Sequence, residues 1–159
     1  MSSAFHRKQN RLPLEDYRGA RAYSLTLTCA ERRPVFLNGR WVERGLRVLR
    51  STSAANGFAV LAYCFMPNHV HVLVEGSEAS DLPLFVKDFK QRTGFEYRQA
   101  RGQSLWQKSY YDHVLRREEA VWDVVRYIVG NPVRAGLVTT AGDHPYSGSF
   151  VWGREIMEA

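Results

Sequence analysis

Cysteine is almost absent from this chain of 159 residues: Cys29 and Cys64 are the only two, and both lie inside apolar runs. So few cannot build a disulfide or zinc framework, and they read as reduced core thiols of a cytoplasmic protein. Long apolar runs are also missing. The longest, Phe58 to Met66, has nine residues, whereas a membrane helix needs about 20. The opening Met-Ser-Ser-Ala-Phe-His-Arg has no apolar stretch of the secretory kind, so no membrane partner is expected. There is no repeat and no low-complexity tract. What remains is ordinary globular material, 45% hydrophobic, 24% charged and 13% aromatic, enough for one domain over residues 1–159 with a core of its own. Residues 1–20 read as a basic arm and residues 150–159 as a tail.

The net charge is +6 and is unevenly placed. Residues 1–50 hold eleven Lys+Arg and four Asp+Glu, a balance of +7, while the rest of the chain nets −1. A localised positive field suits a polyanion partner, although a basic surface also serves solubility. Eighteen of the 22 cations are arginine, whose planar fork suits phosphate.

Residues 21–29 alternate and are rich in strand formers. Asn38 can cap a helix running to Ala55, where Asn56-Gly57 stops it. Val42, Leu46 and Leu49 form its buried stripe. Arg40, Arg44 and Arg47 share another face at i, i+4, i+7; such a ridge is either plain solvated surface or a phosphate rail. Residues 58–66 and 69–75 read as an antiparallel hairpin turning at Pro67-Asn68. Asp81 caps a second helix to Arg101, with Leu82, Val86 and Phe89 inward and Lys87, Lys90 and Arg92 outward. A short strand is expected around residues 113–115, and a helix from Glu118 to Val129 stops at Gly130-Asn131-Pro132. The first six elements match the split βαβ, ferredoxin-like arrangement. The fold class is therefore α+β: an antiparallel sheet with two helices on one face, plus an added C-terminal helix that carries Tyr127.

Pro67-Asn-His-Val-His-Val-Leu-Val-Glu75 carries the strongest chemical signal. In a strand, i and i+2 project from the same face, so His69 and His71 stand side by side, about 6.5–7 Å apart at Cα. Two imidazoles at that spacing can converge on a divalent ion, or can simply occupy a half-exposed strand face. Far along the chain, Tyr127 and Asn131 are four apart, hence on one helical face. A phenol is a possible nucleophile and an amide oxygen a possible hard ligand; equally, they could be a packing tyrosine and a helix-ending asparagine. The segment Tyr110-Tyr111-Asp112-His113 reads as a loop whose aromatics either stack on unpaired bases or cover a sheet edge. His6 and His144 read as surface residues, Trp106 and Trp122 as core.

Taken together, these residues resemble the HUH single-tyrosine transposases and are most similar to the REP-associated tyrosine transposases. The matching stretches are Ala62-Tyr-Cys-Phe-Met-Pro-Asn-His-Val-His-Val-Leu-Val74, Leu105-Trp-Gln-Lys-Ser-Tyr-Tyr-Asp-His-Val-Leu-Arg116 and Tyr127-Ile-Val-Gly-Asn-Pro-Val-Arg-Ala-Gly-Leu-Val138. His144-Pro-Tyr-Ser147 resembles the closing segment. Ala20-Arg-Ala-Tyr23 departs from the Gly-Thr-Trp that the REP-associated group often carries near its first strand.

The resemblance implies one HUH nuclease domain that nicks and rejoins single-stranded or hairpin DNA through a phosphotyrosine intermediate. It assigns Tyr127 as nucleophile and His69, His71 and Asn131 as ligands of a divalent ion, Mg²⁺ or Mn²⁺. Arg40, Arg44, Arg47, Lys87, Lys90, Tyr111 and Arg116 are the residues expected to meet DNA. No nucleotide cofactor is expected. Insertion-sequence relatives work as dimers with the tyrosine helix donated in trans, and REP-associated members resemble monomers; a monomer is the expectation here. Two rivals stay open: a non-catalytic hairpin-binding regulator on the same fold, and a phosphodiesterase using activated water with Tyr127 merely packing.

Overall fold

The computed structural model describes residues 21–115 and 120–158. Strand β1 (Ala22–Thr28) is followed by helix α1 (Gly39–Ala55), strands β2 (Phe58–Met66) and β3 (His69–Gly76), helix α2 (Leu82–Arg101) and strand β4 (Tyr111–Val114). Helices α3 (Val121–Val129) and α4 (Asn131–Arg134) and a two-residue strand β5 (Ser147–Gly148) complete the order. The sheet runs β4-β1-β3-β2-β5 with every pairing antiparallel. Its first four strands have the ferredoxin-like order expected from the sequence. The expected basic arm and Arg116 lie outside the described residues.

Local chemistry sets the boundaries. The Asn38 side chain accepts from Arg40 N at the start of α1, and Asp81 accepts from Leu84 N at the start of α2. Gly102 ends α2 with φ 70°, a left-handed conformation that glycine adopts without strain.

Alternation along the strands divides the core between the two sheet faces. Tyr23, Leu25 and Leu27 of β1 and Val70, Val72 and Val74 of β3 face α1 and α2, in one cluster with Val42, Val48, Leu49, Phe85 and Phe89. Ala62, Cys64 and Met66 of β2 and Leu73 of β3 face the other way and meet Val125, Ile128 and Val129 of α3. The register shift between Val60 and Ala62 is a bulge, so Leu61 and Ala62 both reach this second cluster. Strand β2 is thus covered on both faces, which explains its unbroken apolar sequence. The thiols are free, buried and on opposite faces. Burial pushes Cys29 up to about 12 and Cys64 up to about 11. No helix among the described residues is long and apolar enough to cross a membrane.

Several expectations change. His144 is buried, because its Nε2–H donates to the Phe65 carbonyl (2.9 Å) and clips the chain onto the edge of β2, where β5 pairs. Trp122 is 40% exposed and stacks on Trp152 (ring centroids 4.6 Å apart) instead of entering the core. Trp106 is buried as expected, its Nε1–H donating to Thr93 Oγ1. The segment read as a tail sends Ile156, 1% exposed, into the cluster beneath α3.

Helix α1 approaches the sheet most closely at Gly45, where an added Cβ would lie 2.8 Å from Phe65 Cε2. Phe65 cannot yield easily, being 1% exposed and held edge-on against Phe36 at 5.0 Å. Gly45→Ala is therefore expected to lower stability by about 1–2 kcal/mol, overpacking outweighing the gain in helix propensity. At Gly94 in α2 the nearest atom is 4.0 Å away, so Gly94→Ala should raise stability by about 0.5–1 kcal/mol. Urea-unfolding midpoints check both signs.

Candidate active site on the open face of the sheet

Strand β3 places His69 and His71 on the face opposite α1 and α2. Thr28 and Met66 flank His69, and Thr26 and Cys64 flank His71. The two imidazole centroids are 5.2 Å apart. The Asn68 side chain fixes one ring: His69 Nδ1–H donates to Asn68 Oδ1 at 2.8 Å, which puts the ring's lone pair on Nε2. That Nε2 accepts from the Asn131 side-chain Nδ2–H at 3.5 Å. His71 Nδ1 is buried and has no partner among the described residues.

Helix α3 packs on the same face through Val125, Ile128 and Val129, and this seats Tyr127 beside the histidines. The rings of Tyr127 and His71 are 6.1 Å apart and 26° from parallel. Tyr127 is 42% exposed, and its phenol oxygen hydrogen-bonds to no described residue. The sequence puts Tyr127 and Asn131 on one helical face, with the helix stopping at Gly130-Asn131-Pro132, and the structure keeps that stop. Helix α3 ends at Val129, and Asn131 opens α4 after the cap residue Gly130, because Pro132 has no N–H to continue the ladder. The break still sends both side chains to β3, Tyr127 to His71 and Asn131 to His69.

Burial and neighbouring cations hold the imidazoles neutral. His69 is lowered to about 4, first by burial and then by Arg32; His71 is lowered to about 3 by burial, then His69 and Arg134. Neutral imidazole is the form that ligates a metal. Burial keeps Cys64, next to His71, a protonated thiol. Among the described residues no third His, Cys, Asp or Glu joins the pair; the adjacent side chain is the amide of Asn131, which can offer its oxygen once it turns over. The orphaned Nδ1 of His71, and the Nε2 lone pair of His69 with only a long bond from the Asn131 amide, suit a bound cation. The donor set therefore fits a divalent ion held by His69, His71 and Asn131.

The residues expected to meet DNA are scattered. Tyr111 opens β4 instead of lying in a loop. It pairs with Thr26, which pairs with His71, so Tyr111 stands in the same cross-strand row on the open face, two strands or about 10 Å away. Lys87 is exposed on α2. Lys90 is turned inward, its Nζ donating to the Gln107 and Lys108 carbonyls, where it ties the loop before β4 to α2. Arg40, Arg44 and Arg47 lie on α1, hence on the other side of the sheet from the histidines. Arg40 is exposed, Arg44 lies over Trp41 at 4.9 Å, and Arg47 pairs with Glu96 of α2 at 3.1 Å. Two site residues escape the sequence reading. Asn68, taken only as a turn residue, orients His69. Arg134 lies over the Tyr127 ring, seven residues on; its helical spacing was readable, but Pro132 signals that the helix stops.

Comparison with known proteins agrees with this fold. The family model for IS200-like transposases matches residues 20–131. A REP-associated tyrosine transposase of Haemophilus influenzae is 24% identical over 144 residues, covering 83% of this chain and 81% of the relative. The ISDra2 transposase TnpA of Deinococcus radiodurans is 35% identical over 113 residues, 62% of this chain and 79% of that protein. Among solved structures, a REP-associated tyrosine transposase bound to a REP hairpin superposes with a TM-score of 0.73 at 22% identity, covering 89% of this chain and 82% of that one. A transposase structure from D. radiodurans gives 0.53 at 21% identity, with coverage of 80% and 97%. With a sheet that presents a histidine pair to a tyrosine helix, and a family match running from β1 to Asn131, the chain belongs to the IS200-like transposase family.

Proposed function

We propose that the chain nicks and rejoins single-stranded DNA at a hairpin, with Tyr127 as nucleophile and a divalent ion held by His69, His71 and Asn131. The observation that carries this reading is convergence. Residues some sixty positions apart in sequence meet on one open sheet face, with Tyr127 against His71 and Asn131 against His69. A packing tyrosine would have its ring covered and its hydroxyl satisfied, whereas Tyr127 is exposed and its oxygen is uncommitted. The relative solved with a REP hairpin supports hairpin DNA as the substrate class. Tyrosine and histidines of the same chain meet here, which supports a site complete in a monomer.

In the proposed step the Tyr127 oxygen attacks the phosphorus of a DNA phosphodiester. The new bond joins the phenol oxygen to phosphorus, and the bond to the 3′ oxygen breaks. The phenol loses its proton, and the departing 3′ oxygen gains one and leaves as a 3′-hydroxyl. One phosphodiester replaces another, so the reverse attack by a 3′-hydroxyl rejoins strands without ATP. The divalent ion, Mg²⁺ or Mn²⁺, would when bound stabilise charge developing on the phosphate; imidazole ligands favour Mn²⁺. The protein's part is to hold the phenol beside the phosphate, keep both imidazoles neutral, and set Arg32 nearby as a fixed positive charge. Arg40, Arg44 and Arg47, behind the sheet, would hold DNA flanking the cleavage point.

Three outcomes are expected. Tyr127→Phe, which removes one exposed oxygen, should keep the wild-type melting temperature and hairpin affinity but lose the covalent protein–DNA band on a denaturing gel; persistence of that band would leave Tyr127 a packing residue. In Mn²⁺ titration calorimetry His69→Ala and His71→Ala should each abolish binding, and Asn131→Ala should weaken it less, since water can replace one oxygen ligand. Unchanged affinity in the double histidine variant would remove the metal assignment. Each phosphate contact on single strands contributes about 0.7 to the slope of log affinity against log salt. Changing Arg40, Arg44 and Arg47 together to serine should therefore flatten the slope by about 1.4–2; an unaltered slope would make the ridge plain solvated surface.

A further inference from the structure

We propose that Arg134 is a positioning residue of this site, holding the Tyr127 ring in the orientation from which its oxygen attacks. The inference rests on the nucleophile reading above and adds a residue outside the stretch matched by the family model, which ends at Asn131. The Arg134 guanidinium lies 4.0 Å from the centre of the Tyr127 ring. The same guanidinium donates through Nη2 to the Tyr127 backbone carbonyl. One planar group therefore holds both ends of the residue, its main chain by a hydrogen bond and its ring by a cation–π contact.

The seat for Arg134 is built by its neighbours. Helix α3 ends at Val129, and the Tyr127 carbonyl has lost its helical partner, because position 131 starts a new helix. Arg134 fills that vacant acceptor. A Cβ on residue 130 would stand 3.1 Å from Arg134 Nη1 and 2.8 Å from the Arg126 carbonyl oxygen, so glycine keeps the space into which the guanidinium folds. The contact engages the ring face and the main chain and leaves the phenol oxygen unbonded. A surface arginine present only for solubility would have no cause to fold back on an exposed ring.

Holding the ring matters because Tyr127 is half in solvent. Its one described ring neighbour on the sheet is His71, at 6.1 Å, too loose to fix the ring alone. Misplacement of a reacting group by about 1 Å can cost on the order of a hundredfold in rate. Lysine carries the same charge, but its point-like ammonium cannot lie flat on a ring while bonding the carbonyl.

The test uses the full chain, a labelled hairpin oligonucleotide with a single-stranded flank, Mn²⁺, and fluorotyrosine placed at position 127. Arg134→Ala and Arg134→Lys should both keep the wild-type melting temperature and leave KM within about twofold. Both should lower kcat for adduct formation by about 10–100-fold. The fluorine resonance of residue 127 should move toward that of free fluorotyrosine and sharpen in both variants, without DNA present. Full kcat in Arg134→Lys would overturn the proposal in favour of charge alone. A rise in KM at constant kcat would overturn it in favour of a direct DNA contact, and an unmoved fluorine resonance would show that Arg134 does not hold the ring. Adduct formation by Tyr127→Phe would instead defeat the nucleophile reading, and the role of Arg134 in the reaction with it.

Discussion

The two-residue period of β3 is the constraint on which the rest of the structure depends. Val70, Val72 and Val74 fill the core under α1 and α2, so His69 and His71 must emerge on the other face. A slip of one residue would bury two imidazoles among apolar side chains and expose the valines. The register is doubly fixed, since β3 is paired on both sides, with β1 and with β2. Packing of the hydrophobic core therefore also fixes where the chemistry stands.

The second half of the site depends on α3, which the sheet does not hold by hydrogen bonds. Val125, Ile128 and Val129 seat it against Ala62, Cys64 and Leu73, and Ile156 joins the same cluster. The clip at His144 and the short strand β5 fix the route of the chain between α4 and that last anchor. The closing segment thus braces the tyrosine helix. A sheet face left open beyond α3, with neutral imidazoles and cations on its rim, is electrostatically suited to a phosphate.

Much of this was legible in the sequence because it rests on local rules. Alternation, capping by Asn38 and Asp81, and the Pro67-Asn68 turn located β1, β2, β3, α1 and α2 to within a residue or two. The pairing of His69 with His71 follows from strand geometry alone. What the sequence left hidden is non-local. Which face α3 would cover, and hence that the arginine ridge of α1 would stand behind the sheet, depends on tertiary packing. Lys90 was read as outward from helical spacing, but unpaired carbonyls at Gln107 and Lys108 capture it. His144 looked like a surface histidine because nothing in its neighbourhood reveals the Phe65 carbonyl 79 residues earlier. Arg134 was obscured by a correct inference, that Pro132 breaks the helix, since the break itself creates the acceptor that Arg134 fills.

The central claim is that the tyrosine of α3 and the histidines of β3 form one reaction centre. The most direct measurement is peptide mapping by mass spectrometry of the wild-type protein after incubation with a hairpin oligonucleotide and Mn²⁺. The account predicts a nucleotide attached through phosphate to the peptide containing Tyr127 and to no other. Attachment at Tyr110 or Tyr111, or strand cleavage without any protein-bound nucleotide, would contradict it.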